Sequence, residues 1–303
     1  MHARPRAKVN LTLSVGPRRH DGLHPLSSVF LRIGLADELN VAFGSGAGDD
    51  VLTVGGLEGC PVKGNLVLRA FGAARRALGH SLPPLVAHLD KRIPMAAGLG
   101  GGSADAASAV DCALQMWGAG LAPDRLAEVS LELGSDVPFF ARNLGAALVS
   151  GRGEVIERLP VPPDIGLLLV TPPIDLSTAA VYARFDELSD GEERPAPEVP
   201  DLSGLAEAAG ALREANDLWP AVVSLAPGLG LLRDELETRT GRPWLLSGSG
   251  STLFAVYPSS TMAADAGRSL AAAEADALGG AMINAVDLVG PDPVWRYPWP
   301  SEQ

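Results

Sequence analysis

The sequence predicts an α+β protein built from two domains. The chain has 303 residues, about twice the length of a usual domain of roughly 150 residues. Strand patterns dominate its beginning, whereas helical patterns occupy much of the rest. Proline density rises at 160–163, and we therefore expect residues 1–158 to form an N-terminal domain and residues 159–303 a C-terminal domain. A chain of this length can bury two cores and leave a cleft between them.

The individual elements follow from the spacing of apolar residues. From Ala7 to Val15 apolar and polar residues alternate, which predicts a strand with one buried face and places Lys8 and Asn10 together on the other face. A tight non-helical connection is expected at 134–140, because Pro138 restricts the backbone of the residue before it. Further strands are expected at 29–33, within 37–54, and at 85–89, 165–170, 244–246 and 252–257. Helices are expected at 65–78, 103–117, 121–133 and 263–278, and an exposed acidic loop at 186–200.

The composition argues against several classes of function. The formal net charge of −12 opposes binding to nucleic acid or to an anionic membrane surface, since such binding needs clustered Lys and Arg. Cys60 and Cys112 have no metal-binding or disulfide-framework spacing, so we expect reduced thiols. There is no signal-peptide pattern and no apolar stretch that could span a membrane. A cytoplasmic location is expected, with no nucleic-acid or membrane partner.

A glycine-rich run is the first feature that points to a function. In Gly98-Leu99-Gly100-Gly101-Gly102-Ser103, four glycines fall within five residues, directly before an Ala-rich helical pattern. Glycine lets backbone N–H groups converge on an anion, and the first N–H groups of a helix lack partners within the helix. The run therefore predicts a phosphate-binding loop, as in an ATP-dependent kinase of small molecules. A flexible loop, or tight packing of the helix on a strand, is the alternative explanation.

The common phosphate-binding motifs are absent from the sequence. No GxxxxGK[ST] loop occurs, and the run departs from the dinucleotide-binding GxGxxG pattern because Ser103 stands where its last glycine would be. The HRD and DFG motifs of protein kinases and the GxSxG elbow of serine hydrolases are missing as well. The glycine run must therefore belong to a different kind of kinase.

Three segments resemble the motifs of the GHMP kinases, the superfamily of galactokinase and of homoserine, mevalonate and phosphomevalonate kinases. Pro94 to Ala106, which contains the glycine run, resembles the second motif; residues 7–11 resemble the first and residues 246–254 the third. The resemblance spans the chain in the right order. It implies an N-terminal domain similar to the second domain of ribosomal protein S5, a ferredoxin-like C-terminal domain, and an active site in the cleft between them.

Further segments are similar to one family of GHMP kinases, the 4-diphosphocytidyl-2-C-methyl-D-erythritol kinases. They are residues 8–11, 21–30 and 134–140. The resemblance implies ATP-dependent phosphorylation of the 2-hydroxyl of diphosphocytidyl methylerythritol to its 2-phosphate, with ADP as the other product, in the non-mevalonate pathway to isoprenoid precursors. One position departs from the family pattern, because Leu23 precedes His24 where the family usually has a tyrosine. Stacking of that ring on cytosine must be lost or supplied elsewhere.

Lys8 and Asp136 are the candidate catalytic residues. Attack of a hydroxyl on a γ-phosphoryl group needs a positioned hydroxyl, a route for its proton, and cations that offset the charge of the transferred group. We expect Asp136 to accept the proton or to orient the hydroxyl, and Lys8 to pair with Asp136 and stabilise charge. The resemblance implies the same two roles. Outside the two motifs, an ordinary surface ion pair would explain both residues.

The resemblance also implies two sets of binding residues. The expected ATP-binding residues are Asn65, Pro94, Ala97, Gly98, Leu99, Gly100, Gly101, Gly102 and Ser103. The expected residues of the acceptor site are Asn10, Leu23, His24, Asp136, Thr178, Tyr182, Gly248 and Ser249. Tyr182 follows Thr178 by four residues and carries an aromatic ring suited to base stacking, so it is a candidate to compensate for Leu23.

Several of these residues have simpler explanations. Asn65 is also a plausible helix N-cap, and Asn10 could merely end a polar strand face. A histidine in a turn, such as His24, is more often solvated than functional. The turn Ser247 to Ser251 either closes over the substrate phosphates or only connects two strands.

ATP and Mg²⁺ are the expected cofactors of a phosphoryl transfer. Mg²⁺ often keeps most of its waters, and Ser103 is the one candidate protein ligand. We expect a monomer or a homodimer. Two other functions remain open, namely another GHMP kinase acting on homoserine, mevalonate or phosphomevalonate, and a regulator that binds nucleotide without catalysis. Residues 21–30 disfavour the first, and the presence of both Lys8 and Asp136 disfavours the second.

Overall fold

The computed structural model describes residues 1–20, 22–46, 48–79, 81–189, 199–272 and 280–292. Asp21, residues 190–198 of the predicted acidic loop and residues 273–278 of the last predicted helix therefore lie outside the described residues. Within the described ranges, no helix is both long and apolar enough to cross a membrane.

Strands and helices alternate along the described part of the chain. The strands are β1 (His2–Ala3), β2 (Arg6–Asn10), β3 (Ser14–Val15), β4 (Leu26–Ala36), β5 (Glu38–Phe43), β6 (Val51–Gly56), β7 (Leu85–Lys91), β8 (Ala146–Gly151), β9 (Val155–Arg158), β10 (Gly166–Thr171), β11 (Leu245–Leu246), β12 (Leu253–Tyr257) and β13 (Met282–Asp287). The helices are α1 (Leu66–Leu78), α2 (Gly101–Met116), α3 (Pro123–Leu133), α4 (Val137–Ala141), α5 (Thr178–Leu188), α6 (Leu205–Ala208), α7 (Trp219–Leu225), α8 (Pro227–Thr240) and α9 (Ser260–Ala272), with 3₁₀ turns at Leu202–Gly204 and Ala209–Leu212.

The strands lie in three sheets. The first has the order β1-β5-β7-β6 and is antiparallel except for the pair β6 and β7. The second has the order β2-β4-β8-β9, with β3 also paired to β4, and the third has the order β11-β12-β10-β13; both are antiparallel. The third sheet contains only strands that follow the predicted boundary at residues 158 and 159. The division into two domains itself stays a prediction.

The strand that carries Lys8 and Asn10 is shorter and more deeply buried than its alternation predicts. It ends at Asn10, and residues 14–15 form a separate strand. Its apolar face, with Ala7 and Val9, packs in a core that includes side chains of the third sheet. Its polar face is also buried, with Lys8 3% and Asn10 4% exposed. The prediction of a single buried face was therefore wrong, because polar groups cover the second face as well.

Residues 134–140 contain a helix, contrary to the prediction of a non-helical connection. Helix α4 begins directly after Asp136 and has Pro138 in its first turn. Proline is tolerated there because its missing N–H would have no partner within the helix. The other predicted helices in the described ranges are present, although α2 begins at Gly101, inside the glycine run, rather than at Ser103.

A buried group of two carboxylates and one ammonium fixes the segment before the glycine run. Asp37 is fully buried and accepts hydrogen bonds from the backbone N–H groups of Arg92 (2.6 Å) and Ile93 (2.8 Å) and from the ammonium of Lys91. The same ammonium donates to Asp105 of α2 at 2.8 Å. Burial raises the pKa of Asp105 to about 7 against the attraction of Lys91. These bonds tie the end of β7 to α2, so the glycine run between them is held at both sides.

Asp37→Ala should lower the free energy of unfolding by about 3 kcal/mol. The substitution leaves two backbone N–H groups without their acceptor and a buried ammonium with one carboxylate instead of two. Urea unfolding followed by circular dichroism measures the loss. Asp90→Ala is the matched control, since the Asp90 side chain is 34% exposed and pairs with Arg92, and its loss should stay below about 1 kcal/mol. Similar losses for the two variants would contradict the structural role of Asp37.

Candidate functional site

Two adjoining cavities contain all the residues predicted for the site. The loop cavity, of about 580 Å³, is lined by the glycine run, by Lys8 and by Asn10. The His24 cavity, of about 610 Å³, is lined by Leu23, His24 and residues of α5. Four residues line both cavities: Leu26, Asp136, Thr178 and Tyr182. Asp136 therefore lies where one cavity opens onto the other.

The fold itself requires glycine at two positions of the run. Gly98 has φ +77°, and a Cβ there would lie 2.0 Å from the carbonyl oxygen of Ser247. Gly100 has φ +68°, and a Cβ there would lie 3.1 Å from Cε of Lys8. Residues that carry a side chain rarely adopt such positive φ values. Both the backbone conformation and the lack of space therefore favour glycine at these two positions. The run packs closely against Lys8 and against the turn that contains Ser247.

Gly102 has a different reason to be glycine. It lies in the first turn of α2, and a Cβ there would meet one neighbouring atom, Cδ1 of Leu66, at 3.3 Å. The packing around Gly102 thus imposes little restriction on its side chain. A bare backbone at the N-terminus of a helix allows close approach of an anion to N–H groups that have no partner within the helix. This geometry suits phosphate on the cavity side of the run.

The ammonium of Lys8 is buried at the centre of the loop cavity. It donates to Oδ1 of Asn10 at 2.5 Å and to the carbonyl oxygen of Gly98 at 3.1 Å, and it lies 3.5 Å from Oδ2 of Asp136. Burial lowers the pKa of Lys8, and the Asp136 carboxylate acts in the opposite direction. The Asp136 side chain is 29% exposed. The geometry therefore pairs a buried cation with an accessible carboxylate.

Asn10 holds the strand, the glycine run and the serine turn together. Its side-chain amide donates to Oγ of Ser28 at 2.8 Å, and its backbone N–H donates to Oγ of Ser247 at 3.3 Å. The Ser247 hydroxyl donates in turn to the carbonyl oxygen of Gly98 at 2.9 Å. Asn10 thus does more than end a polar strand face, since each of its polar groups has a specific partner.

The turn from Ser247 to Ser251 is braced from two sides. Nδ2 of Asn216 donates to the carbonyl oxygens of Leu246 (3.0 Å) and Gly248 (2.8 Å). Thr178, at the start of α5, shares a hydrogen bond of 2.9 Å with the Ser249 hydroxyl. Gly248 and Ser249 both line the loop cavity. The turn is therefore part of the cavity wall as well as a connection between two strands.

His24 is fixed by contacts to protein atoms on both of its ring nitrogens. Nδ1 lies 2.9 Å from the carbonyl oxygen of Gly16, and Nε2 lies 3.1 Å from Oδ1 of Asp186. Its ring lies against those of Tyr182 (5.3 Å between centroids) and Phe185 (6.0 Å). The His24 side chain is 6% exposed, so it is not a solvated turn residue. Both nitrogens face acceptors, and the ring can donate to both only when each carries a proton.

The position before His24 leaves the His24 cavity open on one side. Leu23 is 48% exposed and lines the cavity without an aromatic ring. Tyr182, on helix α5, lines the same cavity. Burial raises the pKa of the Tyr182 phenol to about 12, with the nearby Asp136 charge acting in the same direction, so the phenol is neutral near pH 7. Tyr182 is thus an uncharged aromatic surface on the wall shared by the two cavities.

Asn65 acts as a helix cap and also faces the loop cavity. Its side-chain oxygen accepts a hydrogen bond from the N–H of Val67 at 3.0 Å, which makes it the N-cap of α1. Asn65 lines the loop cavity together with Pro94 and Leu66. The two explanations of this residue are therefore compatible.

Asp186 and Asn216 are the site residues that sequence reasoning missed. Asp186 follows Tyr182 by four residues, as Tyr182 follows Thr178, so all three lie on one face of α5. The prediction that an exposed loop begins at Asp186 was wrong, because α5 continues to Leu188. Extending the four-residue spacing by one step would have found Asp186. The sequence around Asn216 offers no comparable signal, because its role depends on a turn that lies about thirty residues later.

The residues present suit a magnesium ion that arrives with a nucleotide. In the described ranges, no three His, Cys, Asp or Glu side chains cluster in a way that could hold a metal ion. Ser103 and Asp136 both line the loop cavity, as does Asp105, whose carboxylate accepts a hydrogen bond from Lys91. Mg²⁺ bound to phosphates commonly needs only one or two protein ligands. The donor set therefore fits a metal carried by ATP.

A family model and many known proteins match this chain. Residues 65–143 match the model of the GHMP kinases N terminal domain. The 4-diphosphocytidyl-2-C-methyl-D-erythritol kinase of Pelotomaculum thermopropionicum is 40% identical over 82% of this chain and 86% of its own length. The kinase of the same name from Streptomyces avermitilis is 39% identical over 81% of this chain and 84% of its own length.

Solved structures match over nearly the whole chain. The crystal structure of a 4-(cytidine 5'-diphospho)-2C-methyl-D-erythritol kinase superposes with a TM-score of 0.73 at 30% identity, covering 94% of this chain and 99% of that one. The homoserine kinase of Cytophaga hutchinsonii superposes with a TM-score of 0.62 at 17% identity, covering 93% and 95% of the two chains. The predicted α+β GHMP kinase fold is thereby confirmed. The chain belongs to the family of 4-diphosphocytidyl-2-C-methyl-D-erythritol kinases.

Proposed function

We propose that the protein transfers the γ-phosphoryl group of ATP to the 2-hydroxyl of 4-diphosphocytidyl-2-C-methyl-D-erythritol. One observation carries this proposal, namely that Asp136 lies where the loop cavity meets the His24 cavity. A phosphoryl transfer needs donor and acceptor in two adjoining sites with the reacting groups at their junction. The acceptor is inferred from the name of the relatives that match this chain.

The loop cavity binds ATP in this proposal. Backbone N–H groups of the glycine run and of the first turn of α2 point at the phosphates, and the helix dipole adds attraction for their charge. Gly102 allows the phosphates to approach the backbone. The adenine lies toward Asn65 and Pro94, at the far wall of the same cavity. Mg²⁺ on the phosphates supplies additional positive charge for the transferred group.

Lys8 and Asp136 carry the chemistry at the junction. The 2-hydroxyl oxygen attacks the γ-phosphorus, the bond from the γ-phosphorus to the β,γ-bridging oxygen breaks, and ADP leaves. The carboxylate of Asp136 orients the hydroxyl and accepts its proton. The ammonium of Lys8, 3.5 Å from Asp136, holds that carboxylate in place and offsets negative charge on the transferred group.

The His24 cavity holds the diphosphocytidyl part of the acceptor. Tyr182 offers a neutral aromatic surface for the cytosine, in the place of the missing tyrosine at position 23. Asp186 fixes the orientation of the His24 ring, which closes the far end of the cavity. Asp186 is thus a positioning residue in this proposal, since it acts through His24.

A comparison of acceptors tests the proposed function directly. With Mg-ATP, ADP release should be at least about a thousandfold more efficient in kcat/KM with the diphosphocytidyl substrate than with the same substrate lacking cytidine. Homoserine, mevalonate and phosphomevalonate should give only background release. Comparable release with and without cytidine would contradict the acceptor assignment. Binding of ATP without ADP release on any acceptor would make the protein a nucleotide-binding regulator.

Asp136→Asn should lower kcat by a factor of about 10²–10⁴ while the affinity for nucleotide changes little. The substitution preserves the shape of the side chain but removes the proton acceptor at the junction. Steady-state ADP release gives kcat, and titration with a fluorescent ATP analogue gives the affinity. Asp124→Asn, an exposed acidic position in the first turn of α3, is the control and should retain normal turnover. Near-normal turnover of Asp136→Asn would rule out this role.

Asp186→Ala should raise the KM for the diphosphocytidyl substrate about tenfold and leave kcat and the KM for ATP within about twofold. Without the carboxylate the His24 ring is free to move. Part of the binding energy of the acceptor is then spent on ordering this ring, whereas the binding of ATP is unaffected. Steady-state kinetics with each substrate varied in turn separates these parameters. Glu187→Ala is the matched control, because Glu187 pairs with Arg184 on the outside of the same helix. A fall in kcat without a change in KM would refute the positioning role.

A further inference from the structure

A third cavity, of about 260 Å³, lies outside the proposed active site and contains three arginines. We call it the arginine cavity. Arg4 and Arg6 line it from the chain around β2, and Arg32 lines it from β4. Ser108 and Asp111 of α2 and Asp292 form other parts of its wall. None of these residues belongs to the loop cavity or to the His24 cavity.

Arg32 is a buried cation that makes no ion pair within 4.0 Å with any carboxylate of the described residues. The residue is 4% exposed, and its guanidinium donates to Oδ1 of Asn143 at 2.5 Å and to the carbonyl oxygen of Phe140 at 3.4 Å. Its Nε–H has no hydrogen-bond acceptor among the residues that the structure describes. Burial lowers the pKa of Arg32 to about 10, with Asp292 opposing this and Arg6 adding to it. A buried guanidinium that is satisfied only by neutral oxygens is costly unless an anion accompanies it.

The charged groups that the described residues place around the arginine cavity are positive in sum. Arg4 is exposed and Arg6 half-buried, and no side-chain carboxylate among the described residues approaches either guanidinium within 4.0 Å. Among the described residues of the wall, the carboxylates are those of Asp111 and Asp292, and Asp111 accepts a hydrogen bond from Gln115 at 2.6 Å. The described wall thus carries three guanidinium groups and the N-terminal ammonium of Met1 against two carboxylates. Guanidinium forks match the oxygens of phosphate and similar anions better than any other side chain does.

We propose that the arginine cavity is a second anion site, which binds a small oxyanion such as inorganic phosphate. Its volume of about 260 Å³ exceeds that of several water molecules, at roughly 30 Å³ each, so a tetrahedral oxyanion fits with water to spare. The anion takes its hydrogen bonds from Arg6 and Arg4 at the open side and neutralises Arg32 at the buried side. The Ser108 hydroxyl is a further donor on the wall.

The position of the arginine cavity places a bound oxyanion next to the catalytic strand. Arg32 on β4 is directly opposite Lys8 on β2 in the sheet. Phe140 also lines the cavity, and its ring lies 3.2 Å from where a Cβ on Gly100 would be. The anion therefore occupies the opposite side of Phe140 from the glycine run. It is separate from the phosphates of ATP, because the arginine cavity and the loop cavity have no lining residue in common.

Calorimetric titration of the nucleotide-loaded protein with inorganic phosphate tests this proposal. Saturating AMP-PNP and Mg²⁺ occupy the glycine run, so that phosphate can only bind elsewhere, and ionic strength is kept constant to remove general screening. We expect one phosphate per chain. The dissociation constant for phosphate should rise at least about tenfold in the single variant Arg6→Ala and also in the double variant Arg4→Ala/Arg6→Ala. Both positions lie at the accessible side of the cavity, so these variants preserve the buried Arg32.

Arg125→Ala is the control for a general loss of positive charge. Arg125 is exposed on α3 and pairs with Glu128, and phosphate should bind this variant as it binds the unchanged protein. Absence of phosphate binding to the loaded protein, or equal weakening in Arg125→Ala and Arg6→Ala, would overturn the proposal. The measurement involves no turnover, so its outcome is independent of the acceptor that the enzyme phosphorylates.

Discussion

The buried ammonium of Lys8 is the group on which the arrangement of the site depends. Removing such a charge from water costs several kcal/mol unless polar groups surround it. Here the surrounding groups are Asn10 on the same strand and two groups from distant parts of the chain, the carbonyl oxygen of Gly98 and the carboxylate of Asp136 at the start of α4. The fold must bring these parts together for Lys8 to be buried at all. Stability and chemistry therefore require the same contacts at this point.

The same reasoning explains why the glycine run is rigid although it is rich in glycine. Gly98 faces the carbonyl oxygen of Ser247, and the Ser247 hydroxyl donates back to the carbonyl oxygen of Gly98. On the other side, Lys91 joins Asp37 to Asp105, which holds the end of β7 and the first turn of α2. A loop fixed at both ends loses little entropy when it binds an anion, so more of the binding energy remains for affinity.

Sequence patterns point to candidate residues where these lie close together in the chain, and they miss residues whose role depends on distant contacts. The glycine run and the face shared by Lys8 and Asn10 follow from spacing over a few residues. The resemblance implied the roles of His24, Thr178 and Tyr182. The partner of His24 and the brace of the serine turn were missed, since Asp186 and Asn216 gain their roles from segments far away in the chain. The burial of both faces of β2 could not be predicted either, because the covering groups belong to the glycine run and the third sheet. Alternation reports which residues share a face, not what covers it.

The four glycines of the run have different structural reasons to be glycine, which the sequence pattern does not reveal. Sequence alone treats its four glycines as equivalent, because each permits any backbone conformation. The structure separates them: Gly98 and Gly100 adopt positive φ, and Gly101 lies against Ile93, so that a Cβ there would come within 2.8 Å of a side-chain carbon. These three serve the packing of the fold, and an inactive relative would need them as well. Gly102 has no comparable restriction, and the approach of a ligand is the remaining physical reason for its lack of a side chain. Within the run, Gly102 is therefore the position whose identity depends most on binding and least on folding.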